Sequence, residues 1–418
     1  MKTRFASKTV FQLQGLRPAC QASLLTLILA SAALPVAATE AIDSRTLALP
    51  LPQQQDYAAQ PALGQPVHRP RIQLAILLDT SNSMDGLIDQ TRNQLWQVVN
   101  EFATARQDGV TPLLEIALFE YGNSGNARSS GYVRRLNGFT RELDAVSQGL
   151  YSLTTNGGDE YCGYAIERTL HELQWSQSAT DIKTIFIAGN ESFAQGPVRY
   201  QDAVQMARQY GISINTIHAG NHAAGVRDGW QAGALLAGGE YLSIDADQQV
   251  VHIEAPQDAR INELNAQLNE TYVPYGAQGA AKAQRQLQQD QMSNEISTGL
   301  LAKRAQSKAS AFYGNSDWDL VDALRDGAVA EEQVAEMEDA ALPAPMQGLS
   351  SRQKLDYLQQ KQLERESIRE EILELSESRS SYVAERKKEQ AAADPSVADA
   401  LTRAIRKQAG QKNFTFNN

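Results

Sequence analysis

The chain has few of the residues on which disulfide-stabilised proteins depend, since its 418 residues include only two cysteines, Cys20 and Cys162. Cys20 precedes an apolar N-terminal stretch and is expected to be removed with it, which leaves Cys162 alone. A lone thiol excludes an internal disulfide. Cys162 is therefore either buried and inert or available for intermolecular pairing, and we favour the inert state.

The sequence also lacks an excess of basic residues and the motifs of phosphate loops and serine hydrolases. The formal charge is −11, and this acidity makes nucleic acid a poor partner. The sequence contains no Gly-x-x-x-x-Gly-Lys loop and no serine elbow, so it offers no support for a phosphate loop or a serine hydrolase. His218 and His222 follow one apolar run, but a zinc site would need further ligands that we cannot identify. We expect no enzyme, and a hydrolase using Cys162 is the least favoured alternative.

Long apolar runs are rare, and the longest lies near the N-terminus. Residues 22–34 follow four basic residues and precede small residues at 36–38, so we predict a secretory signal removed after Ala38. An uncleaved anchor is the alternative, although the run is shorter than the ~20 residues that a span needs. Because the signal carries four basic and no acidic residues, its removal takes the formal charge from −11 to −15. We expect an exported protein, periplasmic or extracellular, with no stable membrane span.

The sequence between residues 71 and 270 alternates short apolar runs with segments of helical periodicity, after a Pro-, Gln- and Ala-rich linker at 39–70. This alternation predicts an α/β fold, with a doubly wound, mostly parallel sheet covered by helices on both faces. In such sheets, ligands bind beyond the carboxyl ends of the strands. Five runs have the length and composition of strands: residues 72–78, 114–119, 183–188, 212–217 and 241–244.

After about residue 270 the composition shifts to Gln, Ala, Lys, Arg and Glu, which predicts a mainly α-helical C-terminal region. We divide it into a helical and irregular segment, 271–345, and a long charged helix with a tail, 346–418. The long helix carries a narrow stripe of apolar residues. This stripe is too short and irregular for a coiled coil, so packing on neighbouring helices is favoured over self-association. The stripe consists of Ile368, Ile372, Leu375 and Tyr382.

The most informative motif is Asp79-Thr80-Ser81-Asn82-Ser83, which directly follows the first apolar run. A carboxylate and two hydroxyls at i, i+2 and i+4 bring three hard oxygens to the edge of a sheet, which suits Mg²⁺ or Mn²⁺. The alternative is an ordinary turn in which a serine caps the next helix. Two further polar segments, 154–160 and 189–192, can deliver oxygen ligands to the same edge.

With these motifs, residues 71–270 resemble a von Willebrand factor type A domain, whose hallmark is the metal-ion-dependent adhesion site. Asp79, Ser81 and Ser83 match its D-x-S-x-S element without departure, and Met84 is a common follower in bacterial members. The resemblance implies that both hydroxyls bind the ion directly and that the aspartate acts through water. It also implies a protein partner whose Asp or Glu completes the metal shell, sometimes with movement of the last helix, here residues 258–269.

The other two elements depart from the family pattern. Where the family usually has Thr within Gly-Gly-Thr, this chain has Gly-Gly-Asp-Glu, so Asp159 is the candidate ligand and Thr155 the reserve. Where the family ends a strand with Asp, an ungapped comparison places Gly189, and Asn190, Glu191 or a water is the candidate substitute. The alternative for these side chains is a helix-capping role.

These observations predict an exported protein-binding module for adhesion or assembly that depends on Mg²⁺ or Mn²⁺. The main alternative is a helical envelope scaffold with a vestigial metal site, which the altered third element keeps open.

Overall fold

The computed structural model describes residues 69–82, 84–244, 253–389 and 397–416, which belong to one compact unit. The predicted signal peptide, nearly all of the predicted linker, and Ser83 lie outside these residues. Within the described ranges, no helix is both long and apolar enough to cross a membrane.

The strands are β1 Arg71–Asp79, β2 Ala105–Gln107, β3 Leu113–Tyr121, β4 Arg134–Thr140, β5 Ile182–Gly189, β6 Ser213–Ala219, β7 Tyr241–Ile244 and β8 Phe414–Phe416. The α-helices are α1 Asp85–Ala103, α2 Leu143–Tyr151, α3 Cys162–Glu172, α4 Tyr200–Gln209, α5 His222–Arg227, α6 Trp230–Leu236, α7 Asp258–Asn269, α8 Gly276–Ile296, α9 Thr298–Ala309, α10 Leu320–Arg325, α11 Glu331–Glu336, α12 Ser351–Glu389 and α13 Val397–Gly410. Short 3₁₀ helices occupy Arg128–Ser130, Asp339–Ala341 and Ala344–Met346.

Six strands form one sheet in the order β4-β3-β1-β5-β6-β7, and each neighbouring pair is parallel except β3 with β4. The predicted α/β class and all five predicted strands are therefore confirmed. The sequence pattern did not indicate the antiparallel edge strand β4. Nor did it indicate the separate pair of β2 with β8, which joins segments about 300 residues apart.

β1 explains why helices cover both faces of the sheet. Leu74 and Ile76 join a core cluster with residues of α1, α2 and α13, whereas Ala75 and Leu77 join a second cluster with residues of α3, α4 and α6. Because both faces are buried, the strand is a continuous apolar run instead of an alternating one. Because β1 is held between these two layers of helices, Asp79 at its end has a defined position.

The C-terminal region is helical, as predicted, and it packs on the α/β layer. Ser297 separates α8 from α9, because its backbone is extended. Its hydroxyl caps α9 by accepting the N–H of Leu300 at 3.0 Å. On α12, Ile372 is fully buried among residues of α7 and α9, with Ile368 and Leu375 packed beside it. These three stripe residues therefore pack within the protomer.

A buried ionic cluster around Arg304 of α9 joins the helical region to the α/β layer. The guanidinium donates to Asp144 of α2 and to Asp290 of α8, both at 2.6 Å, and lies 4.7 Å from the ring centre of Trp96 of α1. Lys308 also donates to Asp290, at 2.9 Å. Although burial alone would raise it, the pKa of Asp290 is held below its usual value by these two cations.

Candidate functional site

The carboxyl ends of β1, β3 and β5 meet at one edge of the sheet, where backbone hydrogen bonds tie their loops together. Thr80 N–H donates to the carbonyl of Tyr121 at 2.9 Å, which fixes the turn after β1 against the end of β3. The carbonyl of Thr80 accepts the N–H of Asn156 at 3.0 Å, which brings in the polar loop before α3. The predicted convergence of polar loops at this edge is therefore present.

Asp79 and Ser81 are buried at this edge of the sheet. Asp79 is 0 % exposed and Ser81 is 5 % exposed, and Asp79 Oδ1 accepts the backbone N–H of Ser81 at 2.8 Å. The remaining oxygens, Asp79 Oδ2 and Ser81 Oγ, are buried with no hydrogen bond of normal geometry to any described atom. Buried oxygens of this kind are costly unless a donor or a cation satisfies them.

Glu160, two residues before α3, is a buried carboxyl at this edge that was not among the residues predicted from the sequence. It is 3 % exposed, and its Oε2 accepts the backbone N–H of Glu191 at 3.3 Å. Burial and the neighbouring Asp79 carboxyl raise the pKa of Glu160 to about 9. Burial likewise raises the pKa of Asp79, against the opposing effect of Glu160 and Ser81. Two carboxyl groups thus share a buried space, and their charges need a proton or a cation between them.

The two predicted ligands of the loop before α3 make hydrogen bonds to other side chains. Asp159 is exposed and accepts a hydrogen bond from the hydroxyl of Tyr161 at 2.9 Å. Thr155 donates its hydroxyl to Asp85 at 2.8 Å. Because successive side chains of an extended segment point to opposite sides, Asp159 faces solvent and Glu160 faces the interior. The glutamate just before a buried helix was the available sequence signal.

Asn190 and Glu191 follow β5 and hold the third loop mainly through their backbone. The carbonyl of Asn190 accepts from His218 Nε2 at 3.2 Å, and the carbonyl of Glu191 accepts from Trp230 Nε1 at 2.7 Å. The Glu191 side chain is exposed, and its charge contributes to the raised pKa values of Asp79 and Glu160. Glu191 is therefore near the two carboxyl groups without being buried with them.

Two glycines let the backbone approach Asp79 closely. Gly122 has a φ of +76°, and a β-carbon there would lie 2.6 Å from Asp79 Oδ1. A β-carbon on Gly189 would lie 3.1 Å from Asp79 Oδ2 and would collide with the hydroxyl of Tyr121. Neither position can carry a side chain without moving the buried carboxylate or its neighbours.

The oxygens at this edge fit a hard divalent cation. Among the described residues, no group of three or more His, Cys, Asp or Glu side chains could hold a metal ion. The set here is different, because it combines the carboxyls of Asp79 and Glu160 with the hydroxyl of Ser81. Carboxylate and hydroxyl oxygens are ligands for Mg²⁺ or Mn²⁺, and the two orphaned oxygens are the ones that a cation would satisfy.

Comparison with models of known protein families gives no match, and comparison with curated proteins gives none. Solved structures similar over part of the chain include the SpRpn10 VWA domain, with 14% identity, 43% of this chain and 90% of that chain covered, and a TM-score of 0.32. BatB from Bacteroides thetaiotaomicron has 14% identity, coverage of 42% and 90%, and a TM-score of 0.31.

Proximal thread matrix protein 1 from the mussel byssus has 12% identity and a TM-score of 0.32. The similarity covers 42% of this chain and 42% of the mussel protein, so the chain spans less than half of the length of that structure. The α/β fold follows from the strand order and the two covered faces of the sheet.

Proposed function

We propose that this chain is an exported protein-binding module that holds Mg²⁺ or Mn²⁺ at the edge of its sheet and uses the ion to bind a partner. Asp79, Ser81 and Glu160 would hold the cation, and the sequence motif adds Ser83. The observation that carries the proposal is the pair of buried oxygens, Asp79 Oδ2 and Ser81 Oγ, which have no hydrogen bond of normal geometry and lie close to the buried carboxyl of Glu160. Export rests on the predicted signal peptide.

The number of ligands explains why such a site would bind a partner. Mg²⁺ takes six oxygens at roughly 2.0–2.1 Å, more than these side chains provide. A bound cation would supply Lewis acidity toward the remaining oxygen ligands, which water and the Asp or Glu of a partner protein can provide. A cation between Asp79 and Glu160 would favour the ionised form of both carboxyls, which burial and their mutual repulsion otherwise disfavour.

An enzyme using Cys162 is not favoured. The thiol is 1 % exposed, and burial raises its pKa well above the ordinary value. Because the thiolate is the nucleophile, a buried thiol of raised pKa is a poor one. Cys162 instead packs in the core cluster that contains Tyr121.

The second candidate is a helical envelope scaffold in which Asp79 and Glu160 share a proton instead of a cation. Burial and the Asp79 carboxyl raise the pKa of Glu160 to about 9, so in the absence of a cation a protonated Glu160 would neutralise the pair. The two functions differ in one measurable property, which is the affinity for divalent cations.

Isothermal titration calorimetry of the mature chain with MgCl₂ and with MnCl₂ tests the proposal. We expect saturable binding with a dissociation constant of about 1 mM or below. The double variant Ser81→Ala, Ser83→Ala should lose this binding. The matched control is Ser378→Ala, Ser381→Ala on the exposed side of α12, which removes two hydroxyls far along the chain and should bind normally.

Absence of binding to the unsubstituted chain at millimolar ion would support the scaffold instead. A partner presenting a carboxylate should in turn be released by chelator, and binding that persists in chelator would refute the metal-dependent mechanism.

A further inference from the structure

A cavity opens at the edge of the sheet opposite to Asp79. It has a volume of about 240 Å³ and lies between the amino ends of β5 and β6, the end of α4 and the end of α13. Because β1 and β5 are parallel and Asp79 ends β1, this cavity is separated from the candidate metal site by the length of the strands. It is therefore not part of the site described above.

Three cationic side chains line the cavity: Lys183, Arg208 and Lys412. None of the described residues that line it is acidic. The grouping is notable in a chain whose formal net charge is −11. Like charges lining one small cavity repel each other, so the arrangement is favourable when an anion lies between them.

Lys183 is the most buried of the three, at 7 % exposure. Its ammonium donates to the carbonyls of Ser176 at 2.9 Å and Tyr210 at 2.7 Å. An ammonium group carries three N–H donors, so these two bonds orient it and leave one donor for a ligand. A β-carbon built on Gly211, another lining residue, would lie 3.6 Å from Nζ, which places the ammonium at the cavity wall.

The charges of Lys183 and Lys412 interact. Burial lowers the pKa of Lys412, and the charge of Lys183 lowers it further, while burial lowers the pKa of Lys183. Asp181 offsets part of this effect, and it supplies one negative charge against the three cationic side chains. The cavity therefore keeps an excess of positive charge.

We propose that this cavity binds a small multivalent oxyanion of the size of inorganic phosphate. Lys183 and Lys412 would supply ammonium donors, and Arg208 would supply a planar guanidinium at the mouth of the cavity, where its side chain is exposed. The volume is below the ~300–1,000 Å³ of pockets for drug-sized ligands, which favours an ion over a nucleotide or a peptide.

Calorimetric titration of the full mature chain with inorganic phosphate, at constant ionic strength and in the presence of chelator, tests this inference. We expect a dissociation constant at or below about 1 mM. Arg208→Gln and Lys412→Gln should each weaken phosphate binding about tenfold, the effect of losing one charge-assisted hydrogen bond. Because Arg208 is exposed, its substitution should leave the fold intact.

The matched control is Arg199→Gln, which removes the same charge at the opposite end of α4 and should leave phosphate affinity unchanged. The Ser81→Ala, Ser83→Ala variant should also bind phosphate normally, so failure of the metal site and failure of this site are distinguishable. Phosphate that does not bind the unsubstituted chain at about 10 mM, or an equal loss in Arg199→Gln, would overturn the inference.

Discussion

The hydroxyl of Tyr121 fills the space beside Gly189 that a side chain at position 189 would need. This hydroxyl donates to the carbonyl of Ala188 at 2.9 Å and is fixed there. The type A family that the sequence resembles ends this strand with an aspartate, so the glycine here has a physical reason. A side chain at position 189 would displace the hydroxyl of Tyr121, and the second buried carboxyl beside Asp79 is that of Glu160, from a different loop.

The first prediction separates Glu160 from the neighbour that the sequence analysis selected. Glu160→Gln keeps the shape of the side chain and removes its charge, so we expect Mg²⁺ affinity to fall more than about tenfold with the fold retained. Asp159→Asn makes the same change on the exposed side of the loop and should alter the affinity little. Calorimetry on both variants measures the difference, and an equal loss in the two would reject the assignment of Glu160.

The second prediction concerns the close approach of Gly122 to Asp79. Gly122→Ala combines the cost of a positive φ with a collision at Asp79 Oδ1, so we expect lost cation binding and lower stability. Gly109→Ala is the matched control, because Gly109 has a φ of +79° and a β-carbon there meets nothing within 4 Å. It should cost only the backbone strain of about 1–2 kcal/mol.

Urea denaturation and Mg²⁺ titration of these two glycine variants give the comparison. Normal Mg²⁺ binding by Gly122→Ala would show that the position of Asp79 Oδ1 does not matter for the site.

The third prediction concerns the buried cluster that fastens α9 to the α/β layer. Arg304→Met leaves the charges of Asp144 and Asp290 without this partner in the interior, so we expect a loss of about 3–5 kcal/mol in the free energy of unfolding. Arg352→Met is the control, since the side chain of Arg352 is 85% exposed and pairs with Asp356 on the surface of α12. Its urea midpoint should not change measurably, and equal effects in the two variants would contradict the structural role of Arg304.

The fourth prediction concerns Cys162. Because the thiol is buried in the core, a thiol reagent should modify it more than about a hundredfold more slowly in the native protein than in denaturant. The experiment uses the full chain with the substitution Cys20→Ser, so that Cys162 is the thiol whose modification is measured. Rapid stoichiometric modification of the native protein would reopen the possibility of a cysteine nucleophile.

The strands that are short apolar runs could be predicted from the sequence, whereas β2, β4 and β8 could not. β1 and β5 are continuous apolar runs because helices cover both faces, and this pattern is local. β4, Arg134–Thr140, is a half-buried edge strand with few apolar residues, and its pairing with β3 depends on distant sequence. The pairing of β2 with β8 is likewise not visible locally.

The candidate site shows the same limit at the level of single residues. The position of Asp79 followed from the end of a buried strand, and the loop before α3 was correctly expected to reach the same edge. The direction of that loop as it enters α3 decides which of Asp159 and Glu160 is buried. The loop has no periodic pattern of apolar residues from which this could be predicted. Ser83 lies outside the described residues, so its predicted role remains a prediction.

The most direct test of the central claim is a crystal structure of residues 39–418 grown with MnCl₂, with anomalous diffraction recorded to locate manganese. We predict an anomalous peak beside Ser81 Oγ and the carboxyls of Asp79 and Glu160, and no such peak in crystals of the Ser81→Ala, Ser83→Ala variant. Diffraction that shows no manganese at this edge, with Glu160 still packed against Asp79, would contradict the claim.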